Sequence, residues 1–187
     1  MAISTPTTAG QILTSAYVNN NINSGLVYIS TTTLSSSTQI NNCFTSDYTN
    51  YQVVVNVDTH TGSASNIGAQ LSTAGTPYTT AANYYYTGVE QAFSNGTQFT
   101  FTNNGSNAYW VVGRLNGNTA GVFTFDIMNP QLSTRVKFYQ DKYTDTGTAG
   151  QVSGLLNVTN SFDGIKIYHL TGATMAGSVR IYGYRQV

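Results

Sequence analysis

The sequence predicts an all-β fold, two antiparallel sheets packed face to face, on three observations. It is rich in residues that favour a pleated surface, with 14 Tyr, 8 Phe and many Val, Ile and Thr. From Leu26 onward, short segments of alternating polarity are separated by turns of Gly, Asn, Ser and Asp. No helical pattern follows that could serve as a crossover between parallel strands. Only 7% of residues are charged, and Ser, Thr and Asn supply the polar surface instead. A disordered chain of low charge would be poor in aromatic and β-branched residues, so this one folds. At 187 residues it can bury one sizeable core.

Residues 1–25 differ from all that follows. Thr14 is a helix N-cap, Ser15 to Ile22 make about two turns, and Asn23-Ser24-Gly25 break them. Ile12, Leu13, Ala16, Tyr17 and Ile22 are too few to form a core. A short amphipathic anchor of this kind must dock on either the parent domain or another protein, of which another protein is favoured, with Ile12, Leu13, Tyr17 and Val18 as its contact candidates. The domain division is therefore 1–25 as attachment segment and 26–187 as β-sandwich.

Strands are expected at Leu26 to Leu34, Thr38 to Phe44, Tyr51 to Val57, Ile67 to Thr73, Asn83 to Tyr86 and Gln98 to Thr102. Others follow at Ala108 to Leu115, Gly121 to Met128, Arg135 to Tyr143 and Gln151 to Val158. The clearest alternations set Val53, Val55 and Val57 against Val54, Asn56 and Asp58, and Phe123, Phe125 and Ile127 against Val122, Thr124 and Asp126. The chain closes on two more alternating arms. Ile165 and Ile167 oppose Lys166 and Tyr168, and Val179 and Ile181 oppose Arg180, Tyr182 and Tyr184, which reads as a closing β-hairpin. Several strands are apolar on both faces, as a packed neighbouring subunit would require. With no repeat of solenoid or propeller length, a two-sheet jelly roll is the arrangement predicted.

At this point two stretches carry a resemblance. Ala9-Gly-Gln-Ile-Leu-Thr-Ser-Ala-Tyr-Val-Asn-Asn20 resembles the N-terminal attachment segment of bacteriophage tail-fibre and appendage proteins, which typically read Gly-x-x-Leu-Thr-Ala-x-x-hydrophobic-Asn. Gly10, Leu13, Thr14, Val18 and Asn19 match that pattern, and Ser15 stands where Ala is common. Cys43 to Tyr51, together with Phe162-Asp-Gly-Ile through Val179-Arg-Ile-Tyr-Gly-Tyr184, resembles a jelly-roll module in virion proteins of phages infecting aquatic bacteria, cyanobacteria included. The resemblance implies a virion protein, assembled in the host cytoplasm, that forms a homotrimer as tumour-necrosis-factor-like jelly rolls do. It would dock on other phage structural proteins (capsid, neck or tail) and face outward, toward a host cell-surface glycan. Tyr168, Tyr182 and Tyr184, on the second face of the closing arms, are the aromatics that a three-fold packed sandwich would bury.

Charge and motif content narrow the chemistry. Seven basic and seven acidic residues give zero formal charge, and no window concentrates Lys or Arg, so nucleic acid and anionic membrane are not expected partners. No apolar run approaches membrane-spanning length, and no secretory leader is evident. The single cysteine, Cys43, excludes an internal disulfide and is expected to be buried. Nucleophile elbow, phosphate loop and zinc-helix motifs are missing, so no enzyme activity, metal or cofactor is expected. Asp58 and His60, two apart, would point the same way on a strand. His169 is expected to be structural, and Asp141 and Asp145 lack the alternating carboxylates of a calcium loop. Glu90, Asp126 and Asp163 are too scattered to pair for glycoside hydrolysis. The recognition candidates are Tyr84, Tyr85, Tyr86 and Trp110, whose rings would stack on sugars if exposed and would fill the core if not. A carbohydrate-binding module using them is the alternative to the virion reading.

Overall fold

The computed structural model describes residues 25–145 and 147–185 and, within these, all side chains except those of 140–145. The helical anchor and Ile12, Leu13, Tyr17 and Val18 lie outside the described residues. The strands are β1 (Leu26–Leu34), β2 (Ser37–Ile40), β3 (Asn50–His60), β4 (Ser65–Thr73), β5 (Thr76–Pro77), β6 (Tyr84–Ala92) and β7 (Gln98–Asn104). They continue with β8 (Trp110–Leu115), β9 (Gly121–Met128), β10 (Val136–Asp145), β11 (Thr148–Leu156), β12 (Gly164–His169) and β13 (Met175–Tyr184). A single 3-10 turn at Ala81–Asn83 is the one helical element among the described residues.

Two antiparallel sheets result. The larger runs β1-β13-β3-β9-β10-β11-β6-β7, and the smaller runs β2-β12-β4-β5 with β8 also paired to β4. Eight of these strands pair in nested order along the chain. β1 meets β13, β2 meets β12, β3 meets β9 and β4 meets β8. The β6–β7 hairpin sits inside the β4-to-β8 connection, and the β10–β11 hairpin inside the β9-to-β12 connection. These two insertions join through β11 and β6 and lengthen the larger sheet.

The expected closing hairpin does not form. β12 lies between β2 and β4 in the smaller sheet, whereas β13 lies between β1 and β3 in the larger one. Alternation fixes which residues point inward, and it did so correctly here. Ile165 and Ile167 enter the core from one sheet, Val179 and Ile181 from the other. It does not fix the hydrogen-bonding partner, because a hairpin and a sheet-to-sheet passage leave the same pattern.

Between the sheets the core is mostly aliphatic and aromatic. Val53, Val55, Val57, Phe123, Phe125 and Ile127 are buried from the larger sheet, as their alternation predicts. Trp110 of β8 stacks on Phe138 of β10 (centroids 5.2 Å, 14°) and meets Tyr84 of β6 edge-on (5.4 Å, 81°). One indole thereby fastens the smaller sheet to the inserted hairpins. Gly113 of β8 has φ +157°, and a Cβ there would fall inside the Phe123 ring, so the closeness of the sheets at this point requires glycine. Both faces of β8 are buried within this single chain. For this strand, apolar residues on two faces do not require a neighbouring subunit.

Cys43 is buried, with its thiol pushed up to about 12, chiefly by desolvation. Asp163, just before β12, accepts the Ala74 N–H on both carboxylate oxygens (3.1 and 3.0 Å). That bond supports the two-residue β4–β5 turn, where Ala74 and Gly75 both have positive φ.

Candidate functional site

The outer face of β10, β11, β6 and β7 is the candidate site. Inward positions of these strands, Phe138, Val152, Leu156 and Tyr84, fill the core beneath it. Strand alternation therefore turns the intervening residues outward. Register then lines them up in rows across the sheet. One row reads Lys137, Leu155, Tyr85 and Asn104. The next reads Tyr139, Ser153, Thr87 and Thr102, and a third continues with Gln151, Val89 and Thr100.

These rows line a shallow trough rather than a flat sheet. A depression of about 470 Å³ holds Tyr85, Lys137, Tyr139 and Leu155. A second of about 530 Å³ shares Thr87, Tyr139 and Ser153 with it and continues to Val89, Thr100 and Gln151. Adjacent strands stand about 4.8 Å apart and alternate residues about 6.7 Å apart, so Tyr85 and Tyr139, two strands and one row distant, are separated by about 12 Å. Two aromatic platforms thus flank an apolar Leu155, in a field of Ser, Thr, Asn and Gln. Aromatic faces favour the C–H side of a sugar ring, and hydroxyls and amides both donate and accept toward its hydroxyls.

Of the four aromatics singled out from the sequence, only Tyr85 stands at this surface. Tyr84 and Trp110 are 0% exposed, and the Tyr84 hydroxyl donates to the Tyr78 carbonyl at 2.9 Å. Burial also holds the Tyr84 phenol well above its ordinary range. Tyr86 points inward and accepts from Asn107 Nδ2 at 3.1 Å. Sugar contact is therefore withdrawn from Tyr84 and Trp110, whose rings the core consumes. Tyr139, Leu155, Thr87 and Gln151 were missed. Their outward phase was readable, but which four strands lie side by side was not.

The subunit-contact candidates fall on two different outer faces. Tyr168 lies on the smaller sheet across Gly68, whose missing Cβ leaves room for it, with Tyr109 edge-on (6.1 Å, 84°) and Lys166 Nζ 5.0 Å from its ring centre. Tyr182 meets Tyr28 on the larger sheet (5.9 Å, 69°), and Tyr184 Oη donates to Asp126 Oδ1 at 2.8 Å.

The titratable candidates separate. Asp58 and His60 do not point the same way: the β3–β13 register slips at Asp58, leaving Asp58 exposed and His60 buried. His60 faces His169 instead, Nε2 to Nε2 at 2.9 Å with stacked rings. His169 Nδ1 accepts the backbone N–H of Thr171 and Ala173, both at 3.3 Å. Its proton is therefore on Nε2, donated to His60, whose own proton sits on a buried Nδ1 with no partner among the described residues. Desolvation lowers both imidazole pKa values, and His60 lowers that of His169 further.

Glu90 is buried on the inner face and receives Arg114 Nη1 at 2.8 Å, while Asp126 is on the outer face of the larger sheet and Asp163 at the β4–β5 turn. Asp141 and Asp145 both lie within β10 rather than in a loop. Among the described residues, no three His, Cys, Asp or Glu side chains gather to hold a metal.

No known family model matches the sequence. No curated protein matches it either. Among solved structures, the CBM2 module of the evolved Dit of Lactobacillus casei BL23 phage J-1 is 10% identical over 81% of this chain and 69% of that one, with a TM-score of 0.25. A likeness that slight carries no argument about fold or function.

Proposed function

We propose that this chain is a structural component of a bacteriophage particle whose outward module recognises a cell-surface glycan. Residues 1–25 dock it on the virion through Ile12, Leu13, Tyr17 and Val18. Residues 26–187 form a jelly roll, a reading supported by the nested pairing of first strand with last and second with second-last. The module assembles as a homotrimer, with Tyr168 on one outer face and Tyr182 and Tyr184 on the other. A head-to-tail three-fold contact joins two different patches, which that placement suits.

The observation that carries the glycan reading is the row pattern of the trough, Tyr85 and Tyr139 around Leu155 amid Ser153, Thr87, Thr102 and Gln151. Each site is shallow, so each contact is weak. Three copies on one rigid body raise avidity without a strong single site.

The test is retention of the full chain on a panel of immobilised oligosaccharides, beside the Tyr85→Ala, Tyr139→Ala double variant. Wild type is retained on a subset and the double variant on none. Equal retention of the two proteins overturns the assignment of the trough. Trp110 emission stays constant on sugar addition, because the indole is in the core. Light scattering behind a sizing column separately checks the trimer, and a monomer removes it.

A further inference from the structure

We infer that the glycan is anionic at one end, carrying a carboxylate or phosphate that Lys137 and Arg135 receive; this rests on the glycan reading of the trough. Beyond Lys137 the trough opens into a third depression of about 510 Å³, lined by Asn129, Ser133, Thr134, Arg135, Lys137 and Thr159. Lys137 lines both this depression and the one that holds Tyr85 and Tyr139. The chain has only seven Lys and Arg, and two of them meet at this end. Both are exposed, and neither has an ion-pair partner among the described residues.

The surrounding groups fit an anion and nothing of opposite charge. Ser133, Thr134, Thr159 and Asn129 offer hydroxyl and amide donors beside the two cations. No carboxylate among the described residues lines this depression or the two that hold Tyr85, Tyr139 and Gln151. Among the described side chains, the nearest carboxylate on the same face by register is Asp126, opposite Tyr139. Its Oδ1 already accepts from Tyr184 Oη (2.8 Å) and Gln52 Nε2 (3.4 Å). At the far end the lining is Gln91, Gln98 and Gln151, with Glu90 turned inward to Arg114. Among the described side chains, the trough is thus polar along its length but cationic at one end only. A uniform polyanion such as nucleic acid would leave most of its charges unmatched, whereas a largely neutral chain with an acidic unit in one place matches the distribution.

The experiment titrates the full chain with length-matched neutral, uronate-bearing and phosphate-bearing oligosaccharides, and with a single-stranded DNA oligonucleotide, at low and physiological salt. At low salt the acidic sugars bind about tenfold more tightly than the neutral ones, the worth of one charge-assisted hydrogen bond. The advantage shrinks as salt rises. Arg135→Gln, outside the depression that holds Tyr85 and Tyr139, cuts the preference and leaves neutral-sugar binding in place, and adding Lys137→Gln removes what remains of the preference. Tyr85→Ala with Tyr139→Ala removes both. Binding of neutral and acidic sugars with equal affinity overturns this inference while the glycan reading stands. Failure of every sugar overturns both. DNA binding as tight as that of the acidic sugars replaces the acidic glycan with a general polyanion.

Discussion

The two halves of the larger sheet are built from the same residue types and bury them differently. In β1, β13, β3 and β9 the inward residues Val53, Val55, Phe123, Phe125, Val179 and Ile181 are all at most 1% exposed. Their outward tyrosines are engaged, Tyr182 by Tyr28 and Tyr184 by Asp126. In β10, β11, β6 and β7 the inward face carries a charge, Glu90, and the last strand is largely exposed on both sides. Phe99 there is 43% exposed, with the Arg114 guanidinium 5.9 Å from its ring centre. Outward, the hydroxyls of Tyr85 and Tyr139 have no partner among the described residues. In one half the outward tyrosines bond or stack within the fold, Tyr28 among them although it is 58% exposed, and the other leaves two with such free hydroxyls available to a ligand.

If this contrast is right, the largest effect on stability comes at the side chain that ties the β10, β11, β6 and β7 half to the smaller sheet. Trp110→Ala removes the stack on Phe138 and the edge contact with Tyr84 and leaves a void between the sheets. The expected loss is about 3–5 kcal/mol, read by chemical denaturation. A loss below about 1 kcal/mol would mean that the inserted hairpins hold themselves together without β8.

A smaller effect is expected at Glu90. Its carboxylate is fully buried while Arg114 is 30% exposed, so Glu90→Ala leaves a cation that water can still reach. A cost of about 1–3 kcal/mol follows from the lost charge-assisted bond. It should be local: amide exchange quickens in β6 and β7 and stays slow in β13. Uniform acceleration across both halves would show that they open as one unit.

The histidine clasp joins the well-covered half, through His60 of β3, to His169 of β12 in the smaller sheet, and gives a third test. Burial depresses both folded pKa values below the ordinary value of about 6.5. The unfolded chain then binds protons first as pH falls. Stability is full above about pH 6.5 and is lost as pH drops from there through the folded values. Replacing both residues, His60→Gln with His169→Gln, should flatten that part of the curve. An unchanged acid limb in the double variant would place the responsible protons elsewhere.

How much of this was legible in the sequence depends on whether a property is local. The limits of β1 and β9, and the inward phase of Val53, Phe123, Ile165 and Val179, follow from alternation alone, which is a period-two property of the strand itself. Sheet membership is not local. β12 and β13 read as a hairpin but divide between sheets, and His60 and His169 meet across 109 positions of sequence. The bulge at Asp58 reverses a facing that strict alternation would preserve. Tyr84, Tyr85 and Tyr86 show the same limit most plainly: the run is conspicuous, its alternation certain, yet nothing local says which phase faces Trp110.

The smallest effect on stability should be the largest on binding. Tyr139 is 45% exposed and stands on the outward side of β10, so Tyr139→Ala removes little buried surface and should change unfolding free energy by no more than about 0.5 kcal/mol. The same substitution takes away one of two stacking platforms, so retention on a glycan that wild type binds should fall at least about tenfold, the share of one aromatic anchor. Tyr182→Ala is the matched substitution in the other half. There a ring packed edge-on against Tyr28 is lost, which costs stability and leaves the affinity of a single trough for a soluble, monovalent oligosaccharide unchanged. If the two variants instead behave alike in both measurements, the division of the sheet into a structural half and a recognising half fails.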